Sequence, residues 1–459
     1  MKIYLETMGC QMNRLDSELV LGLLRSAGHE AVEDPSGADV ILYNTCSVRD
    51  HAEGKVLSRV GEDLLKRKSG RPIVGVLGCM AQRWGRRLQK RFATLDIVCA
   101  PGQLAHLAAM IDAAAAGKPA CRLDPARVGK DDQSEPADYD ALDLSRGAAL
   151  APAGPSAMVR VMHGCDRFCT YCIVPYVRGP QQSRNWRDIV AETQKLVDAG
   201  CSEITLLGQT VNSYRWSEGG ATVPFSDLLA KVSAVGGLRR LRFVTSHPVE
   251  FGDDILQAMR DLPNLCPYIH CPAQSGSDAM LKAMNRHYTR AQYDDLIARA
   301  RAIVPEVVMA GDFIVGFPGE SEADHEASVD LIRRAAYKNC FVFKYSPRPG
   351  TAAAKKLVDD VPEEVKRRRN NELLAVQEQI GQAHHQAYVG RTVEVLVTAQ
   401  APRAGKQPTP PPPGQTQLTA RTSGDHIVVF FGRSDLIGTY QTARVVRADN
   451  LTLFAELVS

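Results

Sequence analysis

The sequence lacks any apolar run close to the length that a membrane span requires. A transmembrane helix needs about 20 consecutive apolar residues, and no stretch of the 459-residue chain approaches that length. The first residues also lack the apolar stretch of a signal peptide and carry a glutamate, Glu6, early. We therefore expect a cytoplasmic protein that has no membrane anchor.

A strong net charge is absent as well. The formal net charge of +3 settles nothing about partners, and the hydrophobic and charged fractions of 44% and 23% are ordinary for globular proteins. The length alone suggests about three domains. Because the cytoplasm keeps thiols reduced, the 12 cysteines are expected to serve in metal binding or catalysis more than in disulfides.

Three of these cysteines form the most informative motif of the chain. Cys165, Cys169 and Cys172, which we call the loop triad, have C-x₃-C-x₂-C spacing, so one loop can wrap three thiolates around a cubane iron–sulfur cluster. Ferredoxin-type sites supply one cysteine for each of the four irons. A loop that supplies three leaves one iron open, which indicates chemistry more than electron storage. The alternatives are three core cysteines or a zinc knuckle, for which only the upstream His163 offers a fourth ligand.

A second set of cysteines follows predicted strands in the first third of the chain. Cys10, Cys46 and Cys79, which we call the N-terminal triad, each come just after a strand-like run. The carboxyl ends of neighbouring parallel strands share one edge of a sheet, where ligands bind. Gly9 and Gly78 precede two of these cysteines and permit tight turns and close approach to a bulky ligand. The pattern favours a second metal site, although small apolar cysteines are also common near strand ends.

The order of strand and helix signals predicts the fold class, which is α/β. Strand-like runs at residues 2–7, 40–44, 73–77 and 96–98 alternate with helical stretches, which is typical of a small α/β unit with a mainly parallel sheet. Between residues 157 and 388 the alternation resumes in six βα units. Six units are fewer than the eight of a closed barrel, so we predict a partial (β/α)₆ barrel with its active site at the carboxyl ends of the strands.

The remaining segments have a different character. Residues 124–154 are rich in Asp, Pro, Ala and Gly without periodicity, which is typical of a linker. After Gly390, five β-type runs predict a small antiparallel β-barrel of the OB-like kind that often binds nucleic acid. The proline-rich residues 408–413 between its first two strands are expected to form a stiff, extended insertion.

Together these motifs identify a family resemblance that covers nearly the whole chain. The sequence is similar to the radical S-adenosylmethionine methylthiotransferases, and most of all to those that act on tRNA. The matching stretches are residues 6–13, 44–49, 164–179, 207–214, 245–248, 274–277, 282–286 and 312–320. Any one of them alone would be weak support, but the set is very specific.

The resemblance implies three domains and two clusters. It implies an N-terminal methylthiotransferase domain at residues 1–117, a radical SAM core at 151–383 and a TRAM domain at 386–459. The loop triad would hold a [4Fe–4S] cluster whose open iron binds S-adenosylmethionine. The N-terminal triad would hold an auxiliary [4Fe–4S] cluster involved in sulfur delivery. A barrel mouth covered by the two outer domains would exclude water.

The resemblance also implies an activity. The expected reaction is methylthiolation of C2 of N6-(dimethylallyl)adenosine at position 37 of tRNA, beside the anticodon. A flavodoxin or ferredoxin would donate electrons, and a monomer is expected. Sister enzymes that act on N6-threonylcarbamoyladenosine or on an aspartate of a ribosomal protein are the alternatives within the class. A non-catalytic iron–sulfur protein that binds RNA is the alternative outside it.

Polar residues at predicted strand ends are candidates for binding S-adenosylmethionine. They are Gln209, Ser246 and Gln274, although strand-end polar residues are often only caps or turns. Arg178 and Arg184 lie just past the loop triad, where they would meet a substrate phosphate or form an exposed salt bridge.

Overall fold

The computed structural model describes residues 1–47, 50–67, 71–125, 138–146, 154–401 and 411–458. Its first part is a six-stranded sheet in which all pairs are parallel, in the order β2-β1-β3-β4-β5-β6. The strands are β1 (Lys2–Met8), β2 (Glu30–Val32), β3 (Val40–Thr45), β4 (Ile73–Leu77), β5 (Ile97–Cys99) and β6 (Ala120–Arg122). The helices are α1 (Gln11–Ser26), α2 (Asp50–Lys66), α3 (Cys79–Trp84), α4 (Arg86–Arg91) and α5 (Leu107–Ala115). The expected parallel sheet is confirmed.

The segment predicted to be a linker contains a helix. Residues 126–137 and 147–153, which include the expected domain start at 151, lie outside the described residues. Between them, α6 (Tyr139–Leu144) buries Tyr139, Leu142 and Asp143. The helix is too short to show a 3.6-residue period, which is why the sequence pattern did not indicate it.

The second part contains the six expected βα units. Its main strands are β7 (Ser156–Arg160), β10 (Glu203–Leu207), β13 (Arg240–Phe243), β14 (Tyr268–His270), β15 (Val308–Val315) and β16 (Asn339–Lys344). Short additional strands are β8 (Met162–His163), β9 (Gln182–Ser183), β11 (Arg215–Glu218) and β12 (Ala221–Pro224). The main strands form two parallel three-stranded ladders, joined by a bridge between Leu241 and Leu265. The partial barrel is therefore confirmed, with a weak seam between its halves.

Helices cover the outer face of this partial barrel. The helices of the second part are α7 (Val174–Val177), α8 (Trp186–Asp198), α9 (Phe225–Ser233), α10 (Asp253–Asp261), α11 (Asp278–Ala283), α12 (Arg290–Ile303), α13 (Glu322–Ala335), α14 (Ala352–Lys356) and α15 (Glu363–Gln386). Of these, α7 packs through Val177 against Cys79 of the first part. The main core lies between helices and strands and includes Ile204, Leu241 and Phe313, each fully or almost fully buried. In the part of the chain that the structure describes, every helix is too short or too polar to cross a membrane.

The third part is a closed five-stranded β-barrel. Its strands are β17 (Thr392–Gln400), β18 (Thr416–Thr422), β19 (Ile427–Gly432), β20 (Tyr440–Ala448) and β21 (Thr452–Leu457), in the order β17-β18-β19-β21-β20. All pairs are antiparallel except β19 with β21. The barrel is the expected OB-like one. Residues 408–410 of the proline-rich insertion lie outside the described residues.

The C-terminal barrel does not cover the mouth of the partial barrel, so that expectation was wrong. It contacts the opposite, amino ends of the strands. Arg240 and Arg242, on β13, donate to the carbonyl oxygens of Arg421 (2.7 Å) and Ser423 (2.8 Å). Lys338, just before β16, pairs with Asp425 at 3.1 Å. The barrel docks there because these buried cations need backbone carbonyls and a carboxylate, which its β18–β19 turn supplies.

A buried ion network joins the first part to the second. Asp16 on α1 accepts from Arg160 Nη1 at 2.8 Å and from Arg178 Nη2 at 2.6 Å. Arg160 also forms a bidentate pair with Asp143 on α6, its Nε and Nη2 donating over 2.7–3.1 Å. Arg184 extends the network from Asp143 (3.3 Å) to Glu192 (2.9 Å). The network fixes the N-terminal sheet against β7, next to the mouth of the partial barrel.

Removing Arg160 is expected to destabilise the protein strongly. In an Arg160→Met variant two buried carboxylates each lose a partner, so the free energy of unfolding should fall by about 3–5 kcal/mol. Urea denaturation followed by circular dichroism measures this change. Arg299→Met is the control, because Arg299 pairs with exposed Asp253 and Asp295, and such pairs contribute about 0–1 kcal/mol. Equal midpoints for the two variants would show that the network does not hold the parts together.

Candidate active site between two cysteine triads

One cavity collects all the predicted site residues. It has a volume of about 310 Å³ and is lined by both cysteine triads. Gln209, Ser246 and Gln274 line it as well. Because the N-terminal triad comes from the edge of the first sheet and the loop triad from the barrel mouth, the cavity lies between the two parts. The structure thus brings together nine residues that the sequence places in seven separate segments.

Tight packing brings the N-terminal triad together. Cys10 immediately precedes α1, Cys46 follows β3 and Cys79 opens α3. A Cβ added at Gly9 would lie 2.7 Å from the Cβ of Cys46, and one at Gly78 would lie 2.3 Å from Asn44 Oδ1. Both distances are far below van der Waals contact, and Gly78 has a φ of +82°. Only glycine therefore fits at these two positions without displacing a neighbouring atom, and Gly78 forms a tight turn of the kind that the sequence pattern indicated.

Asparagine side chains connect the loops of this triad. Cys10 Sγ donates to Asn13 Oδ1 over 3.2 Å, and Asn13 Nδ2 donates to Asn44 Oδ1 over 3.0 Å. Asn44 in turn donates to the Asn13 carbonyl oxygen and to Ser17 Oγ, both at 2.9 Å. This buried chain of amides fixes the Cys10 loop relative to the strand that carries Cys46.

The loop triad is held by a segment far away in sequence. Thr170 N donates to the Met284 carbonyl oxygen at 3.0 Å, and Asn285 Nδ2 donates to the Phe168 carbonyl oxygen at 3.1 Å. Arg286 Nη1 reaches Cys169 Sγ at 3.5 Å. The motif at residues 282–286, to which sequence reasoning assigned no role, therefore supports the cysteine loop. The sequence signal for this supporting role was the cluster of Lys, Asn and Arg residues at the end of a helix. A helix cap that only faces solvent needs fewer polar groups.

The candidate cofactor contacts include buried polar atoms that no other described residue satisfies. Both side-chain amide atoms of Gln209 and the hydroxyl of Ser246 are buried without a hydrogen-bond partner among the described residues. Such atoms cost roughly 1–3 kcal/mol each unless a ligand satisfies them. They fit the amino, carboxylate and hydroxyl groups of a polar cofactor such as S-adenosylmethionine.

Strained backbone marks the same strand ends. Thr245 and Gln274, after β13 and β14, have φ values of +71° and +66°. A non-glycine residue in this region costs about 1–3 kcal/mol, and such residues cluster at ligand sites. The Gln274 backbone is fixed in this conformation because its N–H donates to the Asp312 carbonyl oxygen at 2.8 Å and its carbonyl oxygen accepts from Ile314 N at 2.9 Å.

The thiols of the two triads differ in electrostatics. A hydrogen bond from Cys46, aided by the Arg178 guanidinium, lowers the pKa of Cys10 to about 6. Burial raises the pKa of Cys172 to about 12 and also raises that of Cys165. Thiolates are the metal ligands, and iron binding displaces the protons of such thiols. Six cysteine sulfurs around one cavity, with no disulfide among the 12 cysteines, are a donor set that suits iron–sulfur clusters.

The zinc-knuckle alternative finds no support in the position of His163. Its ring stacks on Tyr139, with 4.0 Å between centroids, and burial lowers its pKa to about 4. It is not among the described residues that line the cavity. His163 therefore packs against α6 and does not complete a ligand set with the loop triad.

Arg178 and Arg184 do not form the exposed salt bridges considered from sequence. Both are almost fully buried, at 3% and 4% exposure. Arg184 belongs to the ion network, whereas Arg178 links the network to the cavity, because its Nε donates to Cys79 Sγ at 3.3 Å. Sequence reasoning could not find this contact, since 99 residues separate the two side chains.

Two separate stretches of the chain match known families. Residues 2–100 match a family described as "Uncharacterized protein family UPF0004", and residues 159–332 match the Radical SAM superfamily. Among solved structures, the radical S-adenosylmethionine methyltransferase TsrM from Kitasatospora setae is similar with a TM-score of 0.53 and 14% identity. The match covers 77% of this chain and 75% of that one. At this identity the likeness shows a shared fold.

Curated relatives match over almost the full length. A protein of Rhodopirellula baltica is 42% identical over 99% of this chain and 95% of its own. A protein of Syntrophotalea carbinolica is 41% identical over 97% of both chains, and one of Clostridium botulinum is 38% identical over 99% of this chain and 96% of its own. All three are named tRNA-2-methylthio-N(6)-dimethylallyladenosine synthase. Identity and coverage of this extent show that the chain belongs to that family of radical SAM enzymes.

Proposed function

We propose that the chain methylthiolates C2 of N6-(dimethylallyl)adenosine at position 37 of tRNA. The observation that carries the proposal is the single cavity shared by the two cysteine triads, since a sulfur donor and a radical source must both reach the same carbon. The names and coverage of the relatives support the same reaction. The names of the relatives do not favour a threonylcarbamoyladenosine substrate. The unsatisfied polar atoms of the cavity do not favour a non-catalytic role.

In this proposal the loop triad holds one [4Fe–4S] cluster and the N-terminal triad holds the other. When bound, the cluster on the loop triad supplies the electron that cleaves S-adenosylmethionine to the radical that activates the inert C2–H bond. Gln209 and Ser246 would orient S-adenosylmethionine through their unsatisfied polar atoms. Gln274 would contribute from the opposite half of the barrel, because it lies beyond the seam between the two ladders.

Two exposed aromatic rings support entry of a nucleobase from one side. Phe341 and Phe343 on β16 are 52% and 39% exposed and stacked, with centroids 6.4 Å apart. Phe341 is the register partner of Asp312, which lines the cavity, so both rings face the inner side of the open barrel edge. An exposed pair of rings suits stacking on an adenine and contact with its apolar dimethylallyl group.

Four expectations from the sequence stay predictions. They are an electron donor such as flavodoxin or ferredoxin, a monomeric state, a cytoplasmic location, and the domain limits 1–117, 151–383 and 386–459.

Removing each triad should affect the reaction differently. Reconstituted wild-type protein is expected to bind about eight irons, four per cluster. A combined Cys10→Ala, Cys46→Ala and Cys79→Ala variant should bind about four, still release 5′-deoxyadenosine from S-adenosylmethionine, and form no methylthio product. Cys165→Ala should lose both reactions. Iron analysis and nucleoside mass spectrometry of tRNA measure these outcomes.

Cys201→Ala is the matched control for these substitutions, because Cys201 is buried and does not line the cavity. It should retain full iron and product. Methylthio product from the variant without the N-terminal triad would contradict the assignment of the sulfur site.

Removing the aromatic rings should weaken substrate binding. Phe341→Ala with Phe343→Ala is expected to raise the KM for tRNA about tenfold or more, since base stacking contributes about 1–3 kcal/mol per base. Release of 5′-deoxyadenosine in the absence of tRNA should not change. Val358→Ala serves as the control, since Val358 is 80% exposed and lies off the sheet. An unchanged KM in the double variant would show that these rings do not contact the substrate.

A further inference from the structure

Arg178 occupies an unusual position between the ion network and the N-terminal triad. It follows α7 of the partial barrel, yet its Nε donates to Cys79 Sγ of the first sheet at 3.3 Å. Its Nη2 donates to Asp16 Oδ2 at 2.6 Å. Arg178 lines the cavity and is 3% exposed. A charged group is therefore buried directly against a cysteine that we assign to the auxiliary cluster.

The charge of Arg178 is only partly balanced by the contacts described above. Asp16 is the carboxylate with which it pairs, and Asp16 is shared with Arg160. Arg178 Nη1 is buried and has no hydrogen-bond partner among the described residues. An unsatisfied N–H of a buried cation is costly, so the site is built for a further anionic or acceptor group. Thiolate and sulfide sulfurs of an iron–sulfur cluster are such groups.

The loop triad has a counterpart that is built differently. Arg286 is 6% exposed, and its Nη1 lies 3.5 Å from Cys169 Sγ. Neutral groups hold it: its Nη2 donates to the Pro272 carbonyl oxygen at 3.0 Å, and its Nε donates to the Tyr288 hydroxyl at 3.3 Å. A buried guanidinium thus donates to a cysteine of each triad, and Arg178 is in addition connected to the other part of the protein by an ion pair with Asp16.

We propose that Arg178 is a positioning residue for the auxiliary cluster, which it holds through Cys79 and whose reduced state it stabilises by charge. The inference rests on the assignment of the N-terminal triad in the proposed function. One-electron reduction makes a cluster more negative, and a cation in a low-dielectric site favours that state. Hydrogen bonds to cluster sulfurs and local charge are known determinants of such potentials. Because Asp16 holds Arg178, docking of the two parts also sets the potential.

The test uses the full chain with a single cluster. A parent with Cys165→Ala, Cys169→Ala and Cys172→Ala can load the N-terminal triad alone, and a redox titration followed by electron paramagnetic resonance gives its midpoint potential. Arg178→Met in this parent should lower the equilibrium constant for one-electron reduction at least tenfold, which corresponds to about 59 mV. Arg178→Lys keeps the charge and should therefore retain most of the reduction potential of the parent. Arg286→Met is the matched control and should leave this potential unchanged.

Asp16→Asn is expected to shift the reduction potential in the opposite direction. It removes the negative charge that balances Arg178 but keeps a side-chain oxygen as acceptor for Arg178 Nη2, so Arg178 stays in place and the reduction potential should rise. This variant decides the question if Arg178→Met does not fold. A loaded Arg178→Met or Asp16→Asn variant with the potential of the parent would overturn the inference and leave the proposed function intact. A parent that binds no cluster would instead overturn the assignment of the N-terminal triad, and the inference with it.

Discussion

The pairing of Asp16 with Arg160 and Arg178 is the interaction on which the rest of the site depends. These side chains are almost fully buried, and burying a charge is costly unless a partner and hydrogen bonds accompany it. The arrangement that satisfies them places α1 of the first sheet against β7 of the partial barrel. Because α1 begins directly after Cys10 and the loop triad follows β7 and β8, the same contact places both triads at one cavity.

The contact between the C-terminal barrel and the partial barrel also depends on buried charges. The C-terminal barrel satisfies Arg240, Arg242 and Lys338 at the amino ends of the strands, where a partial barrel would otherwise expose its lower end. This leaves the carboxyl ends free for the cavity and leaves the β16 edge open beside it. The N-terminal part thus bounds the mouth on one side.

Most of the regular elements could be predicted from sequence, because strands and helices of ordinary length carry clear periodicity. Three kinds of element could not. The edge strands β2 and β6 have three residues each, which is too few for an alternating pattern. Helix α6 is stabilised by the burial of Tyr139, Leu142 and Asp143 in tertiary contacts. The hairpin β11–β12 had a sequence signal, the Gly219-Gly220 pair at its turn. The hairpin lies within a βα unit, however, and the hydrophobic periodicity of that unit dominates the local pattern.

The sequence by itself determined the chemistry: C-x₃-C-x₂-C spacing allows one loop to bind a cluster, and three cysteines after parallel strands meet at one sheet edge. It also indicated Gln209, Ser246 and Gln274, because strand ends of a partial barrel converge. Only the tertiary structure decided that the two triads share a cavity, that the C-terminal barrel lies at the opposite end, and that Arg178 contacts Cys79. These facts depend on which buried charges pair across domains, and pairing between residues 87 to 181 positions apart leaves no local pattern in the chain.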